Sequence, residues 1–487
     1  MWHDFMRDHA RQRPNHTALI DHATGLRWSY ATLDREIDRR AGQLHIRGVA
    51  PGDRVALIAP NRLEHLTLFF ACCRLRAILV PLNPRLALPE LQSILRQIDP
   101  ALLLSAGASP FGAEYPWGDL DAVWAEEGPY PPGPPPEDNE VMMLLYTSGS
   151  TGAPKGVMFH AAMIRANMAG TVGADVLRPG DISIVNTPFF HTGGYHVFSL
   201  PLLSIGGTLI LHPRFDAGQV LADIRQEGVT VFWGVPTLFQ AIFDHADFAA
   251  CDFSRIRFFL SGGAPLPLAL IQGYHRRGVP FKQGFGLTEV GPNCFLLETE
   301  EAFRRPDSIG KPMAHSRVRV MDERGEPVAA GGVGELWIGG AHRCRGYWGQ
   351  EALFRESLRG DLFATGDLVR VDEEGYFYVV GRKKEMYISG GQNVYPGEVE
   401  KPLSSHPGIG QVVVVGVEDG RWGETGLAFY VGEAVLGVEE VQAFLESRLA
   451  RYKHPRHVVR LEGMPLLANG KIDRALLKRR AKAYVAG

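Results

Sequence analysis

Short apolar runs alternate with amphipathic segments along most of the 487-residue chain. Residues 54–60 (RVALIAP) and 77–83 (AILVPLN) have the composition of buried strands, and residues 64–75 between them have helical spacing. The pattern continues with a helix predicted over 89–98 and strands predicted at 207–212, 230–235 and 257–263. Strands separated by helices favour parallel pairing, so the sequence predicts an α/β fold with largely parallel sheets.

The pattern changes in the last third of the chain. From about Arg317 short β-type runs follow one another through glycine turns. Beyond GRKKE, strands are predicted at 412–417 and 426–431 and a helix over 438–449. This tail is long enough to form a small α/β domain. We therefore predict a joint between two domains near Gly381 to Glu385.

Composition excludes several classes of protein. The net charge of −3 provides no basic field for nucleic acid. The five cysteines show no CxxC spacing, which argues against a disulfide framework or a zinc site and favours a reducing, cytoplasmic location. The uncharged run at 195–211 is interrupted by Pro201 and Gly206, so no membrane span is predicted.

Residues 146–157 (YTSGSTGAPKGV) carry the most informative motif and follow the apolar run VMMLLY. Glycines and hydroxyl side chains leave donors free to surround an anion, and Lys155 adds a positive charge suited to a polyphosphate. The spacing is not that of a Walker A motif, because Lys155 lies between Pro154 and Gly156. We therefore predict a phosphate loop of another class, formed by Thr147, Ser148, Gly149, Ser150, Thr151, Gly152 and Lys155.

This segment resembles the phosphate loop of the adenylate-forming superfamily, which includes acyl-CoA synthetases, aryl-CoA ligases, luciferases and the adenylation domains of peptide synthetases. Further segments similar to that family's motifs follow in its order: PFFHTGG (188–194), SGGAP (261–265), GFGLTE (284–289), TGD (365–367), GRKKEMYISGGQNVYPGEVE (381–400) and NGKIDR (469–474). The resemblance implies a large N-terminal domain, residues 1–382, that binds ATP and the acid with parallel sheets, helices and a distorted β-barrel. Residues 383–487 would form a small, mobile C-terminal α+β domain.

The resemblance also implies a two-step reaction and a role for each motif. A carboxylate attacks the α-phosphate of ATP to give acyl-AMP and pyrophosphate, and a thiol, usually that of coenzyme A, then displaces AMP. Glu289, with Thr151, would associate with Mg²⁺, Thr288 would bond to the α-phosphate, and Lys471 would contact the carboxylate and α-phosphate oxygens. Nucleotide contacts are further implied for Gly263, Ala264, Pro265, Gly284, Phe285, Gly286, Asp367 and Arg382.

For the second step the resemblance implies a rotation of the small domain. The hinge would be Lys384, and the rotation would withdraw Lys471 and bring the loop at Gly390 and Gly391 to a thiol tunnel. A hinge of this kind needs only a few residues at an element boundary to change conformation.

The substrate is expected to be an apolar carboxylic acid. Amino-acid-activating relatives usually carry an aspartate near His191, and no carboxylate lies between Pro188 and Ser199. A fatty acid is favoured over an aryl or o-succinylbenzoate-type acid, and the expected pocket walls are His191, Tyr195, Trp233, Gly262 and Asn293. Two alternative functions stay open: an acyl-AMP ligase that loads a carrier protein, and a non-catalytic nucleotide-binding relative. Whether the chain forms a homodimer is also open.

Overall fold

The computed structural model describes residues 2–107, 111–112, 114–120, 122, 128–131, 133–147, 154–173, 176–264, 266–467 and 471–486. Within these ranges the chain forms several sheets separated by helices. The predicted α/β class is confirmed, and the sheets are of mixed parallel and antiparallel type.

The largest sheet has six strands, and its last strand forms a hairpin that is central to the site. In spatial order the strands are Trp117–Asp119, Leu102–Ser105, Arg54–Ile58, Ile78–Leu82, Val141–Thr147 and Lys155–His160. Neighbours are parallel except for the last pair, which is antiparallel. The predicted phosphate loop lies in sequence between the two strands of that hairpin.

Two further sheets lie side by side, because the Thr230 N–H donates to the carbonyl of Ile182, the first residue of an edge strand. The four-stranded sheet has the order Leu26–Ser29, Thr17–Asp21, Thr208–Leu211 and Ile182–Val185. The three-stranded sheet is parallel, in the order Val231–Gly234, Phe258–Ser261 and Phe281–Gln283. The carboxyl-terminal ends of its three strands lie at or next to Gly234, Gly262 and Gly284, so no side chain projects at these positions. We call this end of the sheet the glycine edge.

The helices of this part pack on the sheets through their apolar residues. Helix Glu64–Leu75 is apolar on nearly every side and is correspondingly buried on nearly every side. The others are Phe5–Gln12, Tyr30–Ile46, Leu88–Ile98, Ala161–Gly173, Ser199–Ser204, Ala217–Gln226, Pro236–Phe243, Leu268–His275, Glu301–Arg304 and Glu351–Glu356. Single turns of 3₁₀ or π type lie at Ala246–Phe248, Thr288–Val290 and Gly193–Val197.

An antiparallel sheet follows, where the sequence predicted short strands joined by glycine turns. Its strands are Arg317–Met321, Val333–Gly339, Leu362–Val371 and Leu358–Arg359, with Phe377–Arg382 paired to Leu362–Val371. A bridge between Gly310 and Phe377 links it to the two-stranded sheet of Phe295–Leu296 and Lys311–Pro312. The described strands do not form a closed barrel, and the distorted β-barrel implied by the resemblance stays a prediction.

The last hundred residues build a five-stranded sheet with helices on both faces. The strand order is Gln392–Val394, Tyr387–Ser389, Gly423–Val431 and Gln411–Asp419, and His457–Arg460 pairs with Gly423–Val431. Helices Pro396–Leu403 and Val438–Leu445 contribute to one apolar cluster and helix Arg474–Ala486 to another. The helix predicted over 438–449 is shorter and ends at Leu445. Single 3₁₀ turns lie at Lys383–Glu385 and Arg451–Lys453.

Candidate functional site

The two described ends of the predicted phosphate loop, Thr147 and Lys155, belong to the hairpin of the six-stranded sheet. Thr147 and Lys155 face each other in register and hold the two ends of the loop together. Ser148, Gly149, Ser150, Thr151 and Gly152 lie outside the described residues, as does Pro265. The Lys155 ammonium is 5.1 Å from the centre of the Tyr347 ring, and the hydroxyl of the same tyrosine bonds to Glu289.

Glu289 is fixed on a one-turn 3₁₀ helix by the segment around Tyr347. The Tyr347 hydroxyl donates to Glu289 Oε1 over 2.8 Å, and the Cys344 N–H donates to the Glu289 carbonyl over 2.7 Å. Burial and the carboxylate together raise the pKa of Tyr347, so its hydroxyl stays protonated and acts as a donor. No described residue bonds to Glu289 Oε2, which leaves one carboxylate oxygen available. Thr288 begins the same turn and is half-buried.

Asp367 and Arg382 form the charged centre of the site. They face each other on adjacent antiparallel strands, with 2.6 Å between Arg382 Nε and Asp367 Oδ1. Thr365 supports both, because its hydroxyl accepts from the Asp367 N–H and its carbonyl accepts from Arg382. Asp367 Oδ2 is buried and has no hydrogen-bond partner among the described residues. Burial raises the pKa of Asp367 to about 6 against the opposing effect of Arg382.

Lys471 reaches this centre from the C-terminal part of the chain. Its side chain passes so close to Gly263 that a Cβ there would lie 3.2 Å from Lys471 Cε. Burial and Arg382 lower the pKa of Lys471, and Asp367 opposes them. Gly263 has φ +81°, in the left-handed region that favours glycine. The structure thus brings Lys471, Gly263, Asp367 and Arg382 together, although the sequence separates the first two by about 200 residues.

His191 lies where this charged centre meets the glycine edge of the three-stranded sheet. Its Nε2 is buried without a partner in the part of the chain that the structure describes. Burial, Lys471 and the exposed Arg85 lower the pKa of His191 to about 4, so the imidazole is neutral near pH 7. Trp233 contacts the same segment, because its Nε1–H donates to the carbonyl of Gly193 over 3.1 Å.

Trp233 is wedged between two glycines. A Cβ on Gly193 would lie 2.7 Å from the indole, and one on Gly262 would lie 3.1 Å from it. A larger residue at Gly193 would therefore displace the indole, and one at Gly262 would crowd it. The structure places both predicted wall residues, Trp233 and Gly262, at this edge.

The adenine motif folds as a tight turn beside the same edge. Phe285 is half-buried, and its ring lies 5.6 Å from that of Phe295 in an edge-to-face arrangement. Gly286 has no room for a side chain, because a Cβ would lie 2.3 Å from the Pro292 carbonyl oxygen. Gly284 follows the last strand of the three-stranded sheet, and the half-buried Ala264 follows Gly263.

Two of the predicted pocket residues have other surroundings. Tyr195 is completely buried, packs against Phe189 and donates its hydroxyl to the His65 carbonyl over 2.9 Å. In this structure Tyr195 has a core position, and its predicted role as a pocket wall stays a prediction. Asn293 is half-buried and donates to Thr171 Oγ1 over 2.8 Å and to the Val197 carbonyl over 3.0 Å.

The predicted hinge and tunnel residues lie in the C-terminal part. Lys384 is exposed in the middle of the 3₁₀ turn Lys383–Glu385. Gly390 and Gly391 form a two-residue turn, with φ +60° and +78°, between Ser389 and Gln392. Their predicted roles concern a second domain orientation and stay predictions.

With this geometry described, comparison with known proteins identifies the family. The model of the AMP-binding enzyme family matches residues 6–348, and that of the AMP-binding enzyme C-terminal domain matches residues 398–471. The chain belongs to the AMP-binding enzyme family. The predicted membership of the adenylate-forming superfamily is confirmed, and the protein is an AMP-forming acid–thiol ligase.

Its relatives act on different acids. A feruloyl-CoA synthase of an Amycolatopsis species is 40% identical over 483 residues, which cover 97% of each chain. A long-chain-fatty-acid–CoA ligase of Mycobacterium tuberculosis is 32% identical and covers 99% of this chain and 98% of its own. The solved structure of o-succinylbenzoate coenzyme A synthetase of Bacillus subtilis with ATP and magnesium is 28% identical. It matches with a TM-score of 0.89 and covers 98% of this chain and 99% of its own.

Several residues of the ligase site could not be identified from the sequence. Tyr347 lies in no motif and reaches Glu289 across 58 positions. Thr365 stands in the motif TGD, but a threonine before a turn is common and does not reveal that it supports the aspartate. Arg85 lies in an exposed turn, and its sequence neighbours carry no signal for a site near His191.

Proposed function

We propose that this ligase converts an aromatic carboxylic acid to its CoA thioester through an acyl-AMP intermediate. The observation that carries the proposal is the cluster of Lys471, Asp367 and Arg382 beside His191 and the glycine edge. It combines two cations and a carboxylate for a nucleotide with an apolar, partly open wall for an acid.

The nucleotide would lie between the large and small domains, which we place at residues 1–382 and 383–487. The unpartnered Oδ2 of Asp367 suits the two hydroxyls of a ribose, because an ionised carboxylate only accepts hydrogen bonds. Arg382 and Lys155 would hold phosphate oxygens, and the ring of Phe285 would stack on adenine. Thr288 would donate to the α-phosphate. Thr147, Gly263, Ala264, Gly284 and Gly286 would line the nucleotide, as would the undescribed Ser148, Gly149, Ser150, Thr151, Gly152 and Pro265.

Magnesium fits the acidic group of the site. The free Oε2 of Glu289 offers one oxygen ligand, and Mg²⁺ in proteins commonly takes one or two carboxylates together with phosphate oxygens. Thr151, by analogy with the family, would be the other ligand. When bound, Mg²⁺ neutralises charge on the triphosphate. Tyr347 holds the carboxylate of Glu289 in place for this ion.

In the first step the chain would orient two anions for reaction. The Lys471 ammonium would lie between the acid's carboxylate and the α-phosphate, where it offsets the repulsion between them and stabilises the charge that develops. His191, neutral near pH 7, would contact the same carboxylate through its unpartnered Nε2. In the second step a rotation about Lys384 would remove Lys471 and bring Gly390 and Gly391 to the CoA thiol.

The aromatic class is favoured by the relatives and by the site. The relative that acts on feruloyl groups is 40% identical, against 32% for the long-chain-fatty-acid relative. The small cavity lined by Gly284, Phe198 and Phe295 is mainly apolar, which suits the edge of an aromatic ring. A fatty acid, favoured from the sequence, is the second candidate, and its support is the Mycobacterium tuberculosis relative.

A panel of acids tests the proposal. Pyrophosphate release is measured with ATP, Mg²⁺ and either an aromatic or an alkanoic acid, with and without CoA. We expect AMP, pyrophosphate and thioester from arylalkenoic and arylalkanoic acids, with at least tenfold higher kcat/KM than for alkanoic acids. ADP and orthophosphate as products would contradict the acyl-AMP route, and a preference for long alkanoic acids would contradict the aromatic class.

Lys471→Ala tests the first half-reaction separately. We expect pyrophosphate release to fall by about a hundredfold or more, the scale for loss of a group that stabilises developing charge. Thioester formation from supplied acyl-AMP should be retained to a large extent. Equal loss of both steps would remove the proposed role, and Lys478→Ala on an exposed turn of the last helix is the control.

The acceptor and the assembly have their own tests. A carrier protein bearing a phosphopantetheine thiol is the alternative acceptor, and replacing CoA by such a protein in the same assay distinguishes the two. A homodimer, which the sequence left open, is tested by sedimentation of the purified chain.

A further inference from the structure

Lys282 is a buried lysine in the middle of the strand Phe281–Gln283, and the ligase reaction proposed above does not use it. Only 4% of its surface is exposed. It stands in register with Leu260, which stands in register with Trp233. Laterally paired residues in a parallel sheet project to the same face. Lys282 therefore shares its face of the sheet with Trp233 of the proposed acid-binding wall.

The surroundings of the Lys282 ammonium are mainly aromatic. Its Nζ lies 4.2 Å from the centre of the Phe258 ring, and no described carboxylate oxygen lies within 4.0 Å of it. Burial and the neighbouring Arg257 lower the pKa of Lys282 to about 8, while Glu298 and Glu300 act in the opposite direction from further away. Buried charges in proteins are normally paired, so an unpaired one indicates a function.

Lys282 lines a small cavity that also borders Gly284 of the adenine motif. The cavity is lined by Lys282, Gly284 and Asn293 and otherwise mainly by apolar side chains such as Phe198 and Phe295. The Asn293 amide already donates to Thr171 and to two backbone carbonyls. Lys282 is the charged donor among the described lining residues, and Gly284 of the adenine motif GFGLTE lines the same cavity.

We propose that Lys282 is the distal anchor of the acid pocket and donates a hydrogen bond to an oxygen carried by the substrate's ring. This inference rests on the proposed function, since it requires an aromatic acid with its carboxylate at Lys471 and His191. The ring lies along the glycine edge at Gly262 and Gly284. Its substituent, a phenolic oxygen or a second carboxylate, fills the small cavity.

An apolar pocket with one charged donor discriminates between substrates, because a substrate that offers no acceptor leaves that donor without a hydrogen bond. An unsubstituted ring would leave the ammonium buried and without a partner, whereas an oxygen-bearing ring satisfies it. An alkyl tail, like an unsubstituted ring, offers no hydrogen-bond acceptor to the ammonium. Lys282 thus selects against both classes, and a ring oxygen at the far end is what it selects for.

The experiment compares wild type with Lys282→Met, which keeps the length and apolar stem and removes the charge. Pyrophosphate release is measured with cinnamate, 4-hydroxycinnamate and 4-carboxycinnamate, and each oxygen-bearing acid is expressed as its kcat/KM ratio to cinnamate. We expect wild type to favour at least one of them and Lys282→Met to lower that ratio about 10- to 100-fold, the range for a hydrogen bond to a charged group. The two acids distinguish a phenolic oxygen from a carboxylate.

Lys311→Met is the matched control, because Lys311 is also a lysine over an aromatic ring, 4.5 Å from the centre of Tyr376, but is exposed. It should leave the ratio unchanged. The ratio in wild type should also fall as pH rises through about 8, where Lys282 loses its proton, and this pH dependence should vanish in Lys282→Met. Thermal unfolding of Lys282→Met at or above the wild-type midpoint establishes that the variant is folded.

The outcomes separate this inference from the proposed function. If wild type activates aromatic acids and Lys282→Met keeps the same ratio, the anchor is wrong and the aromatic class stands. If Lys282→Met unfolds, the pH dependence of the ratio in wild type decides, and a flat profile overturns the anchor. If wild type uses only alkanoic acids, both fail.

Discussion

At the scale of single residues, Asp367 is a buried carboxylate that lowers the stability of the folded protein, and this cost fits the binding role proposed for it. Its carboxylate is buried with one oxygen bonded to Arg382 and the other without a described partner. A carboxyl pKa raised to about 6 means that the folded state binds protons more tightly than the unfolded state. The free energy of unfolding therefore falls as pH rises from about 4, the ordinary pKa of aspartate, to about 6. Above pH 6 the full loss of unfolding free energy caused by the ionised, buried carboxylate remains.

Asp367→Asn should remove this cost together with the function. At pH 7.5 we expect the unfolding free energy of the ligand-free protein to rise by about 1–3 kcal/mol, from a pKa shift of roughly two units, and the thermal shift caused by ATP to disappear. Urea denaturation at pH 4.5 and 7.5 checks the sign, since the gain should be smaller at the lower pH. Asp361→Asn, which breaks an exposed pair with Arg317, is the control and should change little. A less stable Asp367→Asn at pH 7.5 would contradict the argument.

At the scale of secondary-structure elements, the sequence is most informative where one strand buries both faces. The apolar runs at 54–60, 77–83 and 412–417 each become a strand, because such runs satisfy a parallel or central strand and little else. The register in which two strands pair cannot be read from such apolar runs. Asp367 faces Arg382 only because the pairing shifts by a bulge between Leu368 and Val369. That contact, like the one between Tyr347 and Glu289, depends on tertiary structure and could not be derived from spacing.

The motifs identified the charged residues of the candidate site but not Lys282, because the burial of Lys282 depends on strand register. Lys471, Asp367 and Arg382 meet as the resemblance implied, because each sits in a local motif. Lys282 has a sequence context, FKQGFG, that is typical of a polar strand end, and only the register with Leu260 shows that its side chain is buried. Proximity to His191 in sequence likewise does not determine which face of the π turn Gly193–Val197 Tyr195 occupies, so its buried position could not be derived from the motif.

The turn at Gly390 and Gly391 allows a prediction for one element. Both have positive φ, but a Cβ on Gly390 would lie 2.7 Å from the Trp422 ring, whereas one on Gly391 meets nothing within 4 Å. We expect Gly391→Ala to cost about 1–2 kcal/mol of unfolding free energy from backbone strain, and Gly390→Ala about 1–3 kcal/mol more from the contact with the indole. Urea denaturation measures both. Equal losses would show that the indole moves aside freely.

At the scale of the whole molecule, contacts within the C-terminal part and across the proposed boundary accompany the position of Lys471 in the site. Arg474, three residues later, donates to Glu400 over 2.7 Å and lies 3.7 Å from Glu385 of the 3₁₀ turn. Across the proposed boundary, Lys383 pairs with Glu335 over 3.0 Å, and Lys401 pairs with Asp307. These last two pairs involve exposed lysines, so each contributes little and can be exchanged for others. Such a boundary is compatible with the proposed rotation.

Lys384→Pro tests the rotation. Proline fixes φ near −65°, which matches a 3₁₀ turn, so the orientation seen here is compatible with it while a large change in φ at this position is not. We expect pyrophosphate release within about threefold of wild type, near the 1 kcal/mol scale of a local backbone perturbation, and thioester formation from supplied acyl-AMP at least tenfold slower. Lys384→Ala removes the same exposed side chain and keeps the backbone free, so both steps should remain normal. Loss of both steps in Lys384→Ala would assign the role to the ammonium rather than to the backbone, and normal thioester formation in Lys384→Pro would place the pivot elsewhere in 381–386.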